Sequence, residues 1–356
     1  MNKLQKNITS LFFICFFIIL SIQQWQEYYS FHAENKKNIQ HQENISSQLE
    51  NFSLWDIKEI HNLEIFRTPN IELLDQIVDE INNAQSRIYL ETYILTETRI
   101  QDALKKAFTR WVDVQVILEK NPYMAYNINN KSFNNLEKIW IPVVWSDSQD
   151  YSFNHAKFII IDSHFYISTW NYSYSTFKYN RDFFLKSDDS EILSKILEIY
   201  NFDFIWEEKH IYHPNIVLSP FNSRSIFEKY FDSATESIDL YFQYFKDKQL
   251  VEALINKQKS GVQVTAIIPK TALESNIETL NKMEKSWIIF HIMQKKKMHS
   301  KVILIDKKYW FIWSVNFSSY SLDKNRELWL LIKNSKKIEE ILNYFQDDIA
   351  NNSVKK

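Results

Sequence analysis

Two stretches of this chain carry the same reactive side chains in the same order. The first, "NHAKFIIIDSHFYISTWNYSYSTFKYNRDFF", holds His155, Lys157 and Asp162. The second, "MHSKVILIDKKYWFIWSVNFSSYSLDKNRELW", holds His299, Lys301 and Asp306 at the same spacing. Each stretch continues to Ser/Thr-x-Asn (Thr169 and Asn171; Ser314 and Asn316). Each closes on Asn-Arg-acid, ending at Asp182 and at Glu327. These residue types suit reaction at a tetrahedral oxyanion. Two lysines and two side-chain amides can hold its oxygens, while one imidazole attacks or takes a proton and the other donates one. A carboxylate beside each histidine would orient the ring and raise its basicity, and Asp182 and Glu327 are the candidates.

The spacing asks for strands. The runs Phe158 to Ile161 and Val302 to Ile305 are β-branched and apolar. Residues i and i+2 of a strand share a face, so His155 points with Lys157 and His299 with Lys301. Pairing the two stretches about a pseudo-twofold axis would gather two His, two Lys and two Asn into one pocket, complete within one chain. The flanking sequence repeats as well. "AQSRIYLETYI" from Ala84 and "ATESIDLYFQY" from Ala234 align at a constant offset of 150, which also pairs Val112 and Val114 with Val262 and Val264. In each half helix, strand, helix, strand and a His-bearing strand follow one another. Helical apolar spacing marks Ile71–Asn83, and strand composition marks Ile88–Tyr93 and Val112–Leu118. The pattern predicts an α/β fold: a duplicated α/β sandwich of two pseudo-twofold-related halves, 54–210 and 211–356, each a mixed β-sheet flanked by helices. Pro214 and Pro220 lie near the seam.

The paired His-x-Lys-x4-Asp motifs, each with its Ser/Thr-x-Asn and Asn-Arg-acid, resemble the phospholipase D superfamily over about residues 60–350. The resemblance implies a metal-independent phosphodiesterase or phosphatidyl transferase working through a phosphohistidine, without a cofactor. It makes His155 the nucleophile and His299 the general acid, an order that near-symmetric halves leave open. Lys157, Lys301, Asn171 and Asn316, with Thr169 and Ser314 beside them, become the phosphate-binding set. It counts Asp162 and Asp306 in the catalytic motifs, ranked below His and Lys because the motif Asp mainly supports local structure. Asp182 stands where the family pattern usually has Glu, and its shorter side chain is expected to weaken the carboxylate contact in the first half.

Outside the repeat, the amino terminus is distinctive. Lys3 and Lys6 precede the apolar run Leu11 to Ile22. The run has the length of an export-signal core, about 7–15 residues, and no small-residue cleavage site follows. We expect 1–24 to be a signal anchor with the body extracytoplasmic at the cell membrane, or secreted if cleaved, and 25–53 to be a polar linker. The remaining histidines (His32, His41, His61, His164, His210, His213 and His291) read as core or exposed residues. Lys295 to Lys297 read as a solvated charge run, with a rim for anionic head groups or a nucleic-acid backbone as the alternative.

Composition narrows the rest. The chain has 356 residues, 45% hydrophobic and 16% aromatic, with a formal net charge of −2. This excludes a disordered chain and disfavours a generally basic nucleic-acid binder. One cysteine, Cys15, excludes a disulfide scaffold and a Cys-based zinc site. There is one Gly and there are 11 Trp, where average usage would give about 25 glycines. Several tryptophans occupy turns that favour glycine: Trp111 aligns with Gly261, Trp140 and Trp287 precede strands at matching places, and Trp170, Trp313 and Trp329 belong to the reactive stretches. We read many of them as UGA codons written as Trp where the source reads Gly, against the alternative of a diverged or inactive protein that tolerates real Trp.

The expected function is phospholipase D-type hydrolysis of phospholipid head groups. The alternatives are a cardiolipin-synthase-like transferase, a superfamily nuclease, and a non-catalytic phosphate-binding membrane protein.

Overall fold

The computed structural model describes residues 45, 47, 49–146, 151–207, 209–312, 317–333 and 335–356. Two contact units result, 1–51 and 52–356. Within the first, residues 45, 47 and 49–51 are helical. The expected anchor lies outside the described residues, among which no helix is long and apolar enough to cross a membrane.

The second unit contains two mixed sheets. The first holds β1 (Glu64–Arg67), β2 (Arg87–Thr92), β3 (Asp113–Glu119), β4 (Val143–Ser146), β5 (Lys157–Ile161), β6 (His164–Ser168) and β8 (Phe183–Ser187), with the short β7 (Asn180–Arg181) outside it. Its order is β1-β8-β6-β5-β2-β3-β4. β2, β3 and β4 run parallel, and β5, β6, β8 and β1 continue antiparallel.

The second sheet holds β9 (Ile216–Ser219), β10 (Ser237–Tyr241), β11 (Gln263–Pro269), β12 (Ile289–Met293), β14 (Val302–Ile305), β15 (Tyr309–Ile312), β16 (Glu327–Ile332) and β17 (Ser353–Lys355), with β13 (Lys297–Met298) outside it. Read from β9, its order is β9-β16-β15-β14-β10-β11-β12-β17. The two sheets therefore share one strand order, the second with an added edge strand.

Sequence expectation and structure agree at the elements that frame the site. Helix Ile71–Asn83 buries Leu73, Leu74, Ile77 and Ile81, one apolar stripe at helical spacing, and the Asn70 side chain caps it by accepting from Leu73 N–H. β2 and β3 fall within a residue or so of the predicted strands. All five residues of β5 are buried, as expected for a central strand with both faces covered. One face of each sheet contributes to a shared core: Phe158, Ile160, Phe183 and Leu185 from the first half join Val302, Leu304, Leu328 and Leu330 from the second. The short strands β7 and β13 pair in parallel across the two halves, Asn180 opposite Lys297 and Arg181 opposite Met298. This core and this ladder bring the two reactive stretches together.

Candidate active site

Each His-Lys pair sits where a buried strand begins. Lys157 opens β5, and its ammonium group folds back to donate to the carbonyl of His155 at 2.5 Å. Lys301 immediately precedes β14 and donates to the carbonyl of His299 at 2.7 Å. Both lysines are almost fully buried. Burial is the main reason their basicity falls, since a desolvated ammonium is costly. Lys157 drops well below the ordinary lysine value and Lys301 to about 7, opposed by the carboxylates of Glu327 and Asp182. The lysines' charges act on His155 and on His299, which places the two His and two Lys in one electrostatic cluster.

Glu327 does not serve its own half. Glu327, from the second half, lies 2.9 and 3.0 Å from Nδ1 of His155 in the first. That Nδ1 donates to the carboxylate, so the Nε2 lone pair is directed away from it. Burial holds His155 down at about 4 despite the opposing pull of Glu327, and the ring is neutral at pH 7. The expected weakening of a carboxylate contact within the first half is thus corrected, because the pairing crosses between halves.

Asp182, the matching acid, is buried but accepts the hydroxyl proton of Thr169 at 2.8 Å. Its Oδ2 has no hydrogen-bond partner among the described residues. Burial raises it to about 7, against the lowering charge of Lys301. Thr169 is consequently a partner of Asp182, and it also accepts from Phe183 N–H at 3.1 Å, which corrects its place in the phosphate-binding set.

His299 is arranged differently. Its Nδ1 meets the Lys301 ammonium at 2.5 Å. Its ring centroid lies 3.4 Å from that of Trp170, at 75°, with Lys301 over the same indole at 5.8 Å. Aromatic pairs ordinarily sit 4.5–7 Å apart, so the indole crowds the histidine. Burial and the neighbouring cations keep His299 well below the ordinary histidine value. Asn171 is buried, and its side-chain oxygen has no partner among the described residues. Ser314, Asn316 and Trp313 lie outside the described residues.

Asp162 and Asp306 are not part of this cluster. They follow the far ends of β5 and β14 and tie down the starts of β2 and β10. Asp162 accepts from the backbone N–H groups of Gln85, Ser86 and Arg87 and from the Ser86 hydroxyl. Asp306 accepts likewise from Thr235, Glu236 and Ser237. Assigning them to catalysis is corrected to a structural role. Repeated backbone donors hold both carboxyls below the ordinary range against partial burial.

Other residues reach the site without having been singled out. Tyr93 sets its ring against His155 at 4.6 Å and accepts from Tyr123 N–H. Asn154, just before His155, donates to Glu91 and accepts from Ala156 N–H, while its own N–H goes to Glu119. Burial raises both Glu91 and Glu119. Of these, Asn154 adjoined the motif in the sequence and could have been included; Tyr93 carries no such signal.

Known proteins resemble this chain in sequence and in fold. The family described as "Cardiolipin synthase, PLD-like domain" matches residues 77–206 and 227–349. A phospholipase D of Rickettsia prowazekii is 31% identical over 125 residues, which are 35% of this chain and 61% of that protein. One from Rickettsia conorii is 30% identical over 122 residues, 34% and 61%. The chain thus spans about three-fifths of these relatives. Among solved structures, a phosphatidylserine synthase of Haemophilus influenzae superposes with a TM-score of 0.69 at 14% identity, covering 88% of this chain and 91% of that one. A polyphosphate kinase of Porphyromonas gingivalis gives 0.68 at 15%, covering 83% and 48%. These two speak to the fold alone.

Proposed function

Because the chain belongs to the phospholipase D superfamily, we propose that it is a metal-independent phosphodiesterase that hydrolyses phospholipid head groups through a phosphohistidine. The observation that carries this reading is the Glu327–His155 contact across the two halves. It supports a neutral imidazole held in one tautomer, with Nε2 as the nucleophile. His155 Nε2 attacks phosphorus and the P–O bond to the head-group alcohol breaks. His299, which takes a proton from solvent as the substrate anion enters and raises its basicity, gives that proton to the leaving alkoxide. Water then attacks the phosphohistidine, passes its proton to His299, and phosphatidate departs. Lys157, Lys301 and Asn171 hold the non-bridging oxygens, and the entering anion raises the basicity of groups that burial has depressed.

A second reading is transfer of the phosphatidyl group to a lipid alcohol, supported by the cardiolipin-synthase description of the matching family. In either case the apolar run Leu11 to Ile22 would keep the body at the outer face of the cell membrane. The test is incubation with labelled phosphatidylcholine, with phosphatidylglycerol alone, and with single-stranded DNA, all in chelator. Phosphatidate supports the hydrolase, cardiolipin the transferase, and nucleotide fragments a nuclease. Vesicle binding without any product would replace all three with a phosphate-binding membrane protein.

A further inference from the structure

The arginines of the two Asn-Arg-acid segments make a pair of crossed clamps. Arg326, in the second half, donates through Nε to Asp203 at the end of helix Ser190–Phe204 in the first half, 2.9 Å away, with both side chains buried. The backbone of Arg326 accepts His155 N–H at 2.8 Å and donates to the carbonyl of Phe153 at 2.8 Å. Arg181, in the first half, donates through Nη2 to Asp348, just beyond helix Ser335–Asp347 in the second, at 2.9 Å. Its carbonyl accepts His299 N–H at 3.3 Å and the Ser300 hydroxyl at 2.5 Å. One spacing of 145 residues separates Arg181 from Arg326, Asp182 from Glu327, and Asp203 from Asp348.

We propose that Asp203 and Asp348 are positioning residues, each acting on the histidine in its own half by fixing the arginine that reaches in from the other. Asp203 sets His155 through Arg326, and Asp348 sets His299 through Arg181. Each acid and the histidine it serves share a half, and the arginine between them does not. Relative displacement of the halves therefore moves both histidine segments together. The clamps differ in their third member: Glu91 flanks Asp203, whereas the Tyr241 hydroxyl donates to Asp348 at 2.9 Å.

This inference rests on the catalytic reading of the two histidines, so its test includes a measurement without turnover. The imidazole signals of His155 and His299 are followed by NMR titration in Asp203→Asn and Asp348→Asn, alongside kcat and KM. Asp203→Asn is expected to shift the His155 titration and leave that of His299 in place, and Asp348→Asn the reverse. Misplacement of a reacting group costs up to about 100-fold, and the loss should fall on kcat with KM nearly unchanged. Asp203→Glu and Asp348→Glu, which keep the charge, should recover part of it and guard against simple misfolding. Unmoved signals in both variants, or equal shifts of both histidines in each, overturn the proposal. The selective NMR pattern in a protein that turns over no phosphodiester sustains the clamps and removes the function instead.

A different observation carries a second inference. Five helices end in the same pair of backbone bonds, in which a left-handed residue and its successor reach back to the last turn. At Gly261 (φ 98°) the N–H bonds Gln258 and that of Val262 bonds Lys257. The same pattern recurs at Trp111 (φ 69°), Trp140 (67°), Trp206 (59°) and Trp287 (69°). Glycine is the usual residue at this place because a β-carbon is strained there. Trp111, Trp140 and Trp287 are 95%, 85% and 83% exposed, so no packing offsets that strain.

We infer that positions 111, 140, 206 and 287 are glycine in the protein as its source makes it, and that position 170, whose indole crowds His299 with its own N–H buried and unpartnered, is glycine too. An open residue 170 leaves room for a phosphoryl group between the histidines. Trp329 stands apart: it is buried in β16 against Phe227 and Phe311, without left-handed backbone. Tandem mass spectrometry of the protein from its native cells should read Gly at 111, 140, 170, 206 and 287, from UGA codons. Tryptophan at these positions, or UGG codons, overturns the inference.

Discussion

The two halves share a strand order and a motif, yet their histidines stand in unlike surroundings. His155 is clasped by a carboxylate from the opposite half. His299 meets an ammonium and an indole, while the acid that symmetry would assign to it, Asp182, turns to Thr169. The difference teaches that a repeated motif supplies equivalent parts without equivalent roles. On the function proposed above, the histidine with Nδ1 on a carboxylate is the one that attacks, and the one beside a cation exchanges a proton.

The largest effect should come from the histidines themselves. His155→Ala and His299→Ala should each lower kcat by about 10⁴-fold or more, the scale of losing a principal reacting group. With a p-nitrophenyl phosphodiester, which leaves without a proton, His299→Ala should still accumulate a phosphoenzyme and His155→Ala should not. Phosphoenzyme in His155→Ala would reverse the assignment of the halves.

The carboxylates come next. Glu327→Gln should cost about 10³-fold in kcat, within the usual range for acid-base groups. Asp182→Asn should cost no more than about tenfold, below the foot of that range. Equal losses would mean that Asp182 turns to His299 when substrate binds, and the asymmetry would belong to the unliganded protein only.

The pH profile of kcat/KM sharpens the comparison further. His155, held at about 4 by burial, stays neutral and nucleophilic well below the range of an ordinary histidine, so the acid limb should lie near pH 4. Above about pH 7 Lys301 loses its positive charge and Asp182 gains a negative one, and both changes weaken binding of an anionic substrate. His299, the acid that the reaction needs, is itself held well below the ordinary histidine value, so the alkaline limb should fall below 7, and its upper part should flatten in Asp182→Asn. An acid limb near 6.5 would show that His155 is not the group held low.

The smallest effect on catalysis belongs where the halves are most alike. Asp162→Ala and Asp306→Ala strip several backbone N–H groups of their acceptor, a loss of about 1–3 kcal/mol of stability, visible in chemical denaturation, with kcat nearly unchanged. A large loss of kcat in the folded variants would return these residues to the site.

Much of the molecule was legible in the residues alone. Periodicity located helix Ile71–Asn83 and strands β2 and β3, because these are local consequences of backbone geometry; of the His-Lys pairs expected along strands, only Lys157 lies within one, and the others precede β5 and β14. The left-handed turn at Trp111 was also legible, in its standing opposite Gly261. Trp206 carried no such signal, since its left-handed φ depends on how helix Ser190–Phe204 ends. Which acid meets which histidine could not be read at all. Glu327 lies 172 residues from His155, and Arg326 meets Asp203 from the opposite half. Residue types and spacing determined that two His-Lys pairs would share a phosphate-suited chemistry. Only the packing of sheet against sheet decided that Glu327 and both arginines cross between the halves, because partners so far apart in the chain are chosen by the shared core and not by any local rule.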